Sequence, residues 1–132
     1  MRFMLDTNIC IYVIKKNPPG VAERLRALKP FDVGISSVTL AELRYGVVKS
    51  GSAERNAEAL IGFLAPLEVA PFDDIAAVHY GEIRTHLEKA GLPIGAMDLM
   101  IASHARSLDA VLVTNNLKEF ERVPGLTIEN WA

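Results

Sequence analysis

Apolar and polar residues alternate in blocks along this 132-residue chain, and the period changes from block to block. Short apolar runs bounded by turn residues read as buried strands, and apolar residues three or four apart read as helices. Residues 2–5 predict a first strand. Helical spacing follows through Ile9, Tyr12 and Val13 until Asn17-Pro18-Pro19-Gly20 stops it. Residues 21–28 predict a second helix with Leu25 and Leu28 turned inward, and Val33-Gly34-Ile35 a second strand. Ser37 or Thr39 is expected to cap a third helix bearing Leu40, Leu43 and Val47. A helix over 53–64 is stopped by Pro66, and residues 67–70 form a third strand. A long helix over 74–90 closes at Gly91 and is expected to place Ile75, Val78, Ile83 and Leu87 on one face. Residues 97–108 read as helix, 110–113 as the clearest buried strand and 117–120 as one helical turn. Thr127-Ile128 reads as a short edge strand before Trp131. Strands alternating with helices predict an α/β fold, a central, mostly parallel sheet flanked by helices, in one domain spanning 1–132.

Four acids interrupt this pattern where surface acids rarely fall. Asp6 follows the first strand in "FMLDTNI", and no Lys or Arg lies within eight residues on its C-terminal side. Glu42 lies early in the helix after the second strand, in "SSVTLAELRYG", and Asp98 opens an otherwise apolar helix in "GAMDLMIASHA". Glu119 comes just after the strongest strand, in "VTNNLKEF". In an open parallel sheet, ligands bind outside the carboxyl ends of the strands, so these four side chains can converge on one edge. Two like charges about 4 Å apart repel by roughly 4 kcal/mol at an effective dielectric near 20. Converging acids therefore either take up protons or share a cation. Oxygen donors suit the hard ions Mg²⁺ and Mn²⁺. Helix N-termini would offset part of the repulsion at Glu42 and Asp98. Singly, Glu42 and Asp98 also read as acids favouring a helix dipole, and Glu119 as a solvated loop acid. The joint pattern carries the metal reading.

Composition narrows the field without choosing a substrate. Half the residues are apolar and 23% are charged, as in an ordinary globular protein. A net charge of −2 supplies no global field for nucleic acid, so a polyanion would need local basic anchors. Lys15, Lys16, Arg24, Arg26, Lys29, Arg44 and Lys49 offer such a rim, although a solvated face explains most of them. The single cysteine, Cys10, rules out a disulfide within the chain and suits a reducing cytoplasm. The chain lacks a secretory pattern at its start and any apolar run of about 20 residues, so a cytoplasmic location and no membrane partner are expected.

Taken together, "FMLDTNI", "SSVTLAEL", "DLMIASHA" and "VLVTNNLKEF" resemble the PIN domain, and more closely the VapC toxins of bacterial toxin–antitoxin pairs. The resemblance runs from Phe3 to Trp131. It implies an α/β endoribonuclease that uses Mg²⁺ or Mn²⁺, and it carries Asp6, Glu42 and Asp98 over directly as catalytic and metal-binding acids. Many PIN domains have an aspartate after "TN", where this chain has Asn116, so Glu119 is the expected substitute. "TNN" followed by a Glu-Phe pair resembles a VapC branch that cuts initiator tRNA in its anticodon loop. The resemblance further implies a VapB-type antitoxin partner and a homodimer. Asp6 and Asp98 are expected as the closest metal ligands, with Glu42 and Glu119 binding through water or orienting the nucleophile. Asn8, Thr114 and Asn115 are expected to support them by hydrogen bonding to carboxylates or phosphate, alongside turn and cap roles for Thr114 and Asn115.

The remaining chemistry-bearing residues read as structural. His79, His86 and His104 show no ligand spacing with Cys10, which reads as a small buried hydrophobe. Tyr12, Tyr45 and Tyr80 sit at helical spacing and are expected to pack in the core. Trp131 closes the core or a dimer face. Two rival functions remain. A phosphohydrolase or phosphotransferase could use Asp6 as nucleophile. The haloacid-dehalogenase pattern, however, wants a second Asp where Asn8 stands, and a receiver domain wants a Lys where "TNN" stands. A catalytically silent binding module is the other rival, and four intact acids argue against it.

Overall fold

A computed structural model describes residues 1–132. Its five strands are β1 (Phe3–Leu5), β2 (Val33–Ser36), β3 (Glu68–Ala70), β4 (Val111–Val113) and β5 (Ile128–Glu129). They form one sheet in the order β3-β2-β1-β4-β5, and every neighbouring pair is parallel. The expected mostly parallel sheet is thus wholly parallel. β1 is the central strand, with Phe3 opposite Val33 on one side and Val111 on the other. From β1 the chain adds β2 and β3 outward on one side, then returns to add β4 and β5 on the other. The crevice between β1 and β4 is the point where the strand order reverses.

Seven helices fill the connections: α1 (Thr7–Lys15), α2 (Pro19–Arg26), α3 (Ser37–Lys49), α4 (Ala53–Leu64), α5 (Asp74–Ala90), α6 (Ala96–Ser107) and α7 (Leu117–Phe120). The pleat sends successive strand residues to opposite faces, which divides the core in two. Phe3, Leu5, Val33, Ile35 and Val113 face a core completed by Ile9, Cys10, Val21, Leu43, Leu60 and Trp131. Met4 and Leu112 face the other, with Ile83, Leu87, Leu99, Ile101, Ala105 and Phe120. Each such side chain contributes roughly 1.5–3 kcal/mol when buried. β1 is wholly buried because helices cover both of its faces, which is why its short sequence is apolar without alternation.

The predicted elements are all present, with ends displaced by a residue or two; α2 starts earliest relative to expectation, because Pro19 is suited to the first helical turn. Local chemistry explains the corrections. Neither Ser37 nor Thr39 caps α3; Ser36 does, its Oγ accepting from the Val38 N–H at 3.1 Å. Ser37 Oγ instead accepts from the Phe72 N–H at 3.0 Å. Along α5 the inward face is Ala76, Ile83 and Leu87, whereas Ile75 and Val78 are 57% and 63% exposed. Ala76 is seven residues before Ile83, two helical turns, while Ile75 and Val78 fall off that line. Tyr45 is not a core residue; it is 65% exposed, with the Lys49 ammonium 5.6 Å from its ring centre. Tyr12 and Tyr80 are partly buried against the two cores, and Trp131 packs edge-on to Phe3 at 5.2 Å in the first core. No helix is long and apolar enough to cross a membrane.

Candidate active site

The site lies at the carboxyl edge of the sheet, over the β1–β4 crevice. Asp6 leaves β1 and becomes the N-cap of α1, its Oδ1 accepting from the Ile9 N–H at 2.9 Å. The Thr114 hydroxyl, at the end of β4, donates to the same carboxylate. Asp6 is almost completely buried, at 5% exposure. That burial raises its pKa; the Thr114 and Ile9 hydrogen bonds pull the other way, and the Glu42 charge adds to the rise. A buried acid needs compensation, and within the chain the Ile9 N–H and the Thr114 hydroxyl supply it.

Glu42 reaches the site from the second turn of α3. It accepts a 2.5 Å hydrogen bond from the Thr7 hydroxyl, whose oxygen also lies 3.4 Å from that of Thr39. Because Glu42 lies beyond the first turn of α3, the helix N-terminus does little for it, contrary to expectation. That argument holds for Asp98, which sits in the first turn of α6. Glu119 is carried by the single turn α7. Asn116 Nδ2 donates to its Oε2 at 2.5 Å, and the Gly95 N–H donates to its Oε1 at 3.2 Å. The Gly95 bond ties α7 to the start of α6, and so Glu119 to Asp98.

Asp98 shows that the four acids converge. Its carboxyl is raised to about 6, first by burial, then by the charge of Glu119 and a carboxyl–carboxyl hydrogen bond with it, and then by the charges of Asp6 and Glu42. None of the four forms a salt bridge; the chain's ion pairs join Glu68 to the N-terminal amine and Glu82, Glu88 and Glu129 to arginines elsewhere. Four oxygen-donor side chains with no chain cation suit a hard divalent ion. No three of them close into a ready-made coordination shell. The group is a loose acidic cup that a cation would draw together.

The other expected residues separate. Thr114 supports Asp6 and also accepts from the Asn116 N–H at 2.9 Å, so it both turns the chain and orients the acid. Asn115 is turned away, donating to the Tyr12 hydroxyl at 2.7 Å on the rim. Asn8 is exposed and its side chain makes no hydrogen bond. Asn116, read only as the place of a missing aspartate, is a direct partner of Glu119, and Thr7 holds Glu42; neither contact left a local signal beyond a polar side chain beside an acid. Cys10 is fully buried, and burial, followed by the Asp6 charge, pushes its thiol well above its ordinary value, so it stays protonated and unreactive.

The model of the PIN domain matches residues 3–126. The chain belongs to the PIN-domain family. It is 50% identical over its full length to the tRNA(fMet)-specific endonuclease VapC of Salmonella typhimurium, covering 99% of that protein. It is 52% identical to ribonuclease VapC2 of Rickettsia felis, over 99% of this chain and 98% of that one. Among solved structures, the DNA-bound VapBC complex of Salmonella typhimurium superposes with a TM-score of 0.95 at 49% identity, covering 100% of this chain and 99% of that chain. The α/β architecture and the VapC resemblance read from the four motifs are therefore established for this PIN domain.

Proposed function

We propose that this PIN domain is a metal-dependent endoribonuclease, the nuclease of a VapBC-type toxin–antitoxin pair, with initiator tRNA as its substrate. The observation that carries the metal dependence is the convergence of Asp6, Glu42, Asp98 and Glu119 with no chain cation among them. The names of the 50% and 52% identical relatives support ribonuclease activity, and the first of them supports tRNA(fMet) as substrate. When bound, Mg²⁺ or Mn²⁺ supplies charge neutralisation at the scissile phosphate and activation of water for phosphodiester hydrolysis. Asp6 and Asp98, from the two sides of the crevice, are the closest ligands in this reading. Glu42 and Glu119 bind through water or orient the nucleophile in this reading; Thr7 fixes one oxygen of Glu42, and the Gly95 N–H and Asn116 hold the two oxygens of Glu119.

The partner reading has its own support. A mostly apolar cleft between α1, α3 and α4, lined by Ile11, Ile14, Leu43 and Val47, opens beside Glu42. An antitoxin segment seated there could extend an Arg to the acids and pair with them in place of the ion. Exposed Ile75 and Val78, one turn apart on α5, offer an apolar surface for the homodimer. The deciding experiment is cleavage of purified initiator and elongator tRNAs with graded Mg²⁺ or Mn²⁺, with chelator, and with the co-expressed antitoxin. Cleavage confined to initiator tRNA, lost with chelator and suppressed by the antitoxin is the expected outcome. Undiminished cleavage by a metal-free preparation overturns the metal reading, and cuts confined to other RNAs overturn the substrate.

A further inference from the structure

A second polar cluster lies below the acids, wholly inside the molecule. Ser36, at the end of β2, and His104, in α6, are both buried, with Ser36 Oγ 2.7 Å from His104 Nδ1. Ser36 Oγ already accepts from the Val38 N–H. Donation to Nδ1 gives the hydroxyl proton its partner and leaves the imidazole proton on Nε2. Burial lowers the His104 pKa against the opposing charge of Asp73, which keeps the ring neutral and able to accept. The same ring meets Phe72 edge-on at 5.5 Å, and Phe72 is tied through its N–H to Ser37. One knot thus joins the start of α3, the body of α6 and the chain leaving β3. These are the mounts of two acids: Glu42 is six residues beyond Ser36 on α3, and Asp98 six residues before His104 on α6.

We propose that Ser36 and His104 are positioning residues whose buried hydrogen bond sets the spacing of α3 and α6, and with it the distance between Glu42 and Asp98. This rests on the proposed metal site and names the internal device that holds its two sides in register. The acids do not form a ready-made coordination shell, so the spacing of α3 and α6 sets how far Glu42 and Asp98 must move to close on a cation. A buried hydrogen bond between two rigid elements resists that change better than apolar contact, because slippage leaves both groups unsatisfied.

The test is Mn²⁺ titration of the purified full chain by calorimetry, alongside crystal structures of the variants. His104→Phe keeps a ring against Phe72 and leaves the Ser36 cap intact, but removes the acceptor. It should weaken Mn²⁺ binding about tenfold, the low end of the effect of losing a partner behind a metal ligand. His104→Asn, which can present an oxygen near the Nδ1 position, should recover most of that loss. Val21→Ala, a packing change in the opposite core, should lower the melting temperature and leave Mn²⁺ affinity unchanged. In the crystal, α3 and α6 should shift against each other in His104→Phe and not in His104→Asn. Should His104→Phe fail to fold, Ser36→Ala removes the donor side and is judged against Ser37→Ala, which spares the His104 link. If wild type binds no Mn²⁺, the proposed function falls while the helix displacement still tests the pair. Unchanged helix spacing in His104→Phe, or Mn²⁺ affinity equal to that of Val21→Ala, overturns the positioning role.

Discussion

Asp6 and Asp98 occupy opposite sides of one crevice, and their surroundings differ in kind. Asp6 is the more buried, yet it receives two hydrogen bonds, from the Ile9 N–H and the Thr114 hydroxyl. Asp98 is only partly buried, and its neighbours are Glu119, Asp6 and Glu42. The first aspartate is built into the fold as a helix cap. The second has no such employment, and in the metal-free protein burial and the neighbouring acids raise its pKa to about 6. Burial alone is thus a poor guide to how costly a carboxylate is; the donors around it decide. A side that caps a helix should couple catalysis to stability, and a side that only gathers charge should set them against each other.

The sharpest break of that comparison is in activity. Asp98→Asn, Glu119→Gln and Asp6→Asn should each lower the RNA cleavage rate by at least about a hundredfold, in the range typical of removing a participating acid or base. Single-turnover cleavage at saturating Mn²⁺ measures this, and a loss below about threefold at Glu119 would remove it from the site. Stability should then separate the two sides. Asp6→Ala loses the α1 cap and should cost about 1 kcal/mol, whereas Asp6→Asn, itself a good cap, should cost much less. Asp98→Asn should stabilise the metal-free protein, by on the order of 1 kcal/mol after solvent screening. It should also blunt the rise in melting temperature on adding Mg²⁺ or Mn²⁺, which for wild type is worth about 2.7 kcal/mol at a hundred times the dissociation constant. Melting curves at fixed ionic strength read both effects, and a destabilised Asp98→Asn with an intact metal response would make Asp98 a simple helix-start acid.

The pH dependence is a smaller effect with a definite sign. The Asp98 carboxyl titrates at about 6 in the folded chain, above its ordinary 3.8, so the folded state holds the extra proton between these values. Its contribution is fully favourable below about 4 and is lost as pH rises through 6. Metal-free wild type should therefore lose stability from pH 4 to pH 7 relative to Asp98→Asn, by on the order of 1 kcal/mol, and denaturant melts of both proteins across that range check it. A parallel pair of pH profiles would show that the acids do not meet. The smallest effect is expected at Asn116→Ala, which frees one oxygen of Glu119 without removing its charge. Its cleavage rate should fall by several-fold, well short of Glu119→Gln, and equal losses would reverse their assigned order.

Much of this arrangement was legible in the sequence because it follows from local pattern. Apolar runs fixed the strands, Pro66 and Gly91 punctuated the helices, and the topology of a parallel α/β chain put Asp6, Glu42, Asp98 and Glu119 on one edge. What escaped has a common cause: it depends on pairs distant in sequence or on competition between adjacent candidates. Thr7 meets Glu42 across 35 positions and Ser36 meets His104 across 68, and no periodicity encodes either. Three hydroxyl residues near the start of α3 could each have capped it, and only the extended backbone of Ser36 decides among them. Ile75 and Val78, expected on one face with Ile83 and Leu87, and Tyr45, expected in the core, are apolar or aromatic yet exposed. Hydrophobicity does not say whether a surface is buried by the chain itself or left for another molecule.

The central place of β1 bears on when the site is assembled during synthesis. The strand that delivers Asp6 is made before every other strand of the sheet, and its β4 neighbour is made more than a hundred residues later. Until then one edge of β1 lacks its partner, Asp6 lacks the Thr114 hydroxyl, and Asp98 lacks Glu119. The acids enter in the order 6, 42, 98 and 119, so the cup is completed only once the segment after β4 has been made. A nascent polypeptide carrying three of the four acids has no β4 to form the crevice. This strand order therefore withholds the assembled acidic cup until β4 and the turn that follows it have been made.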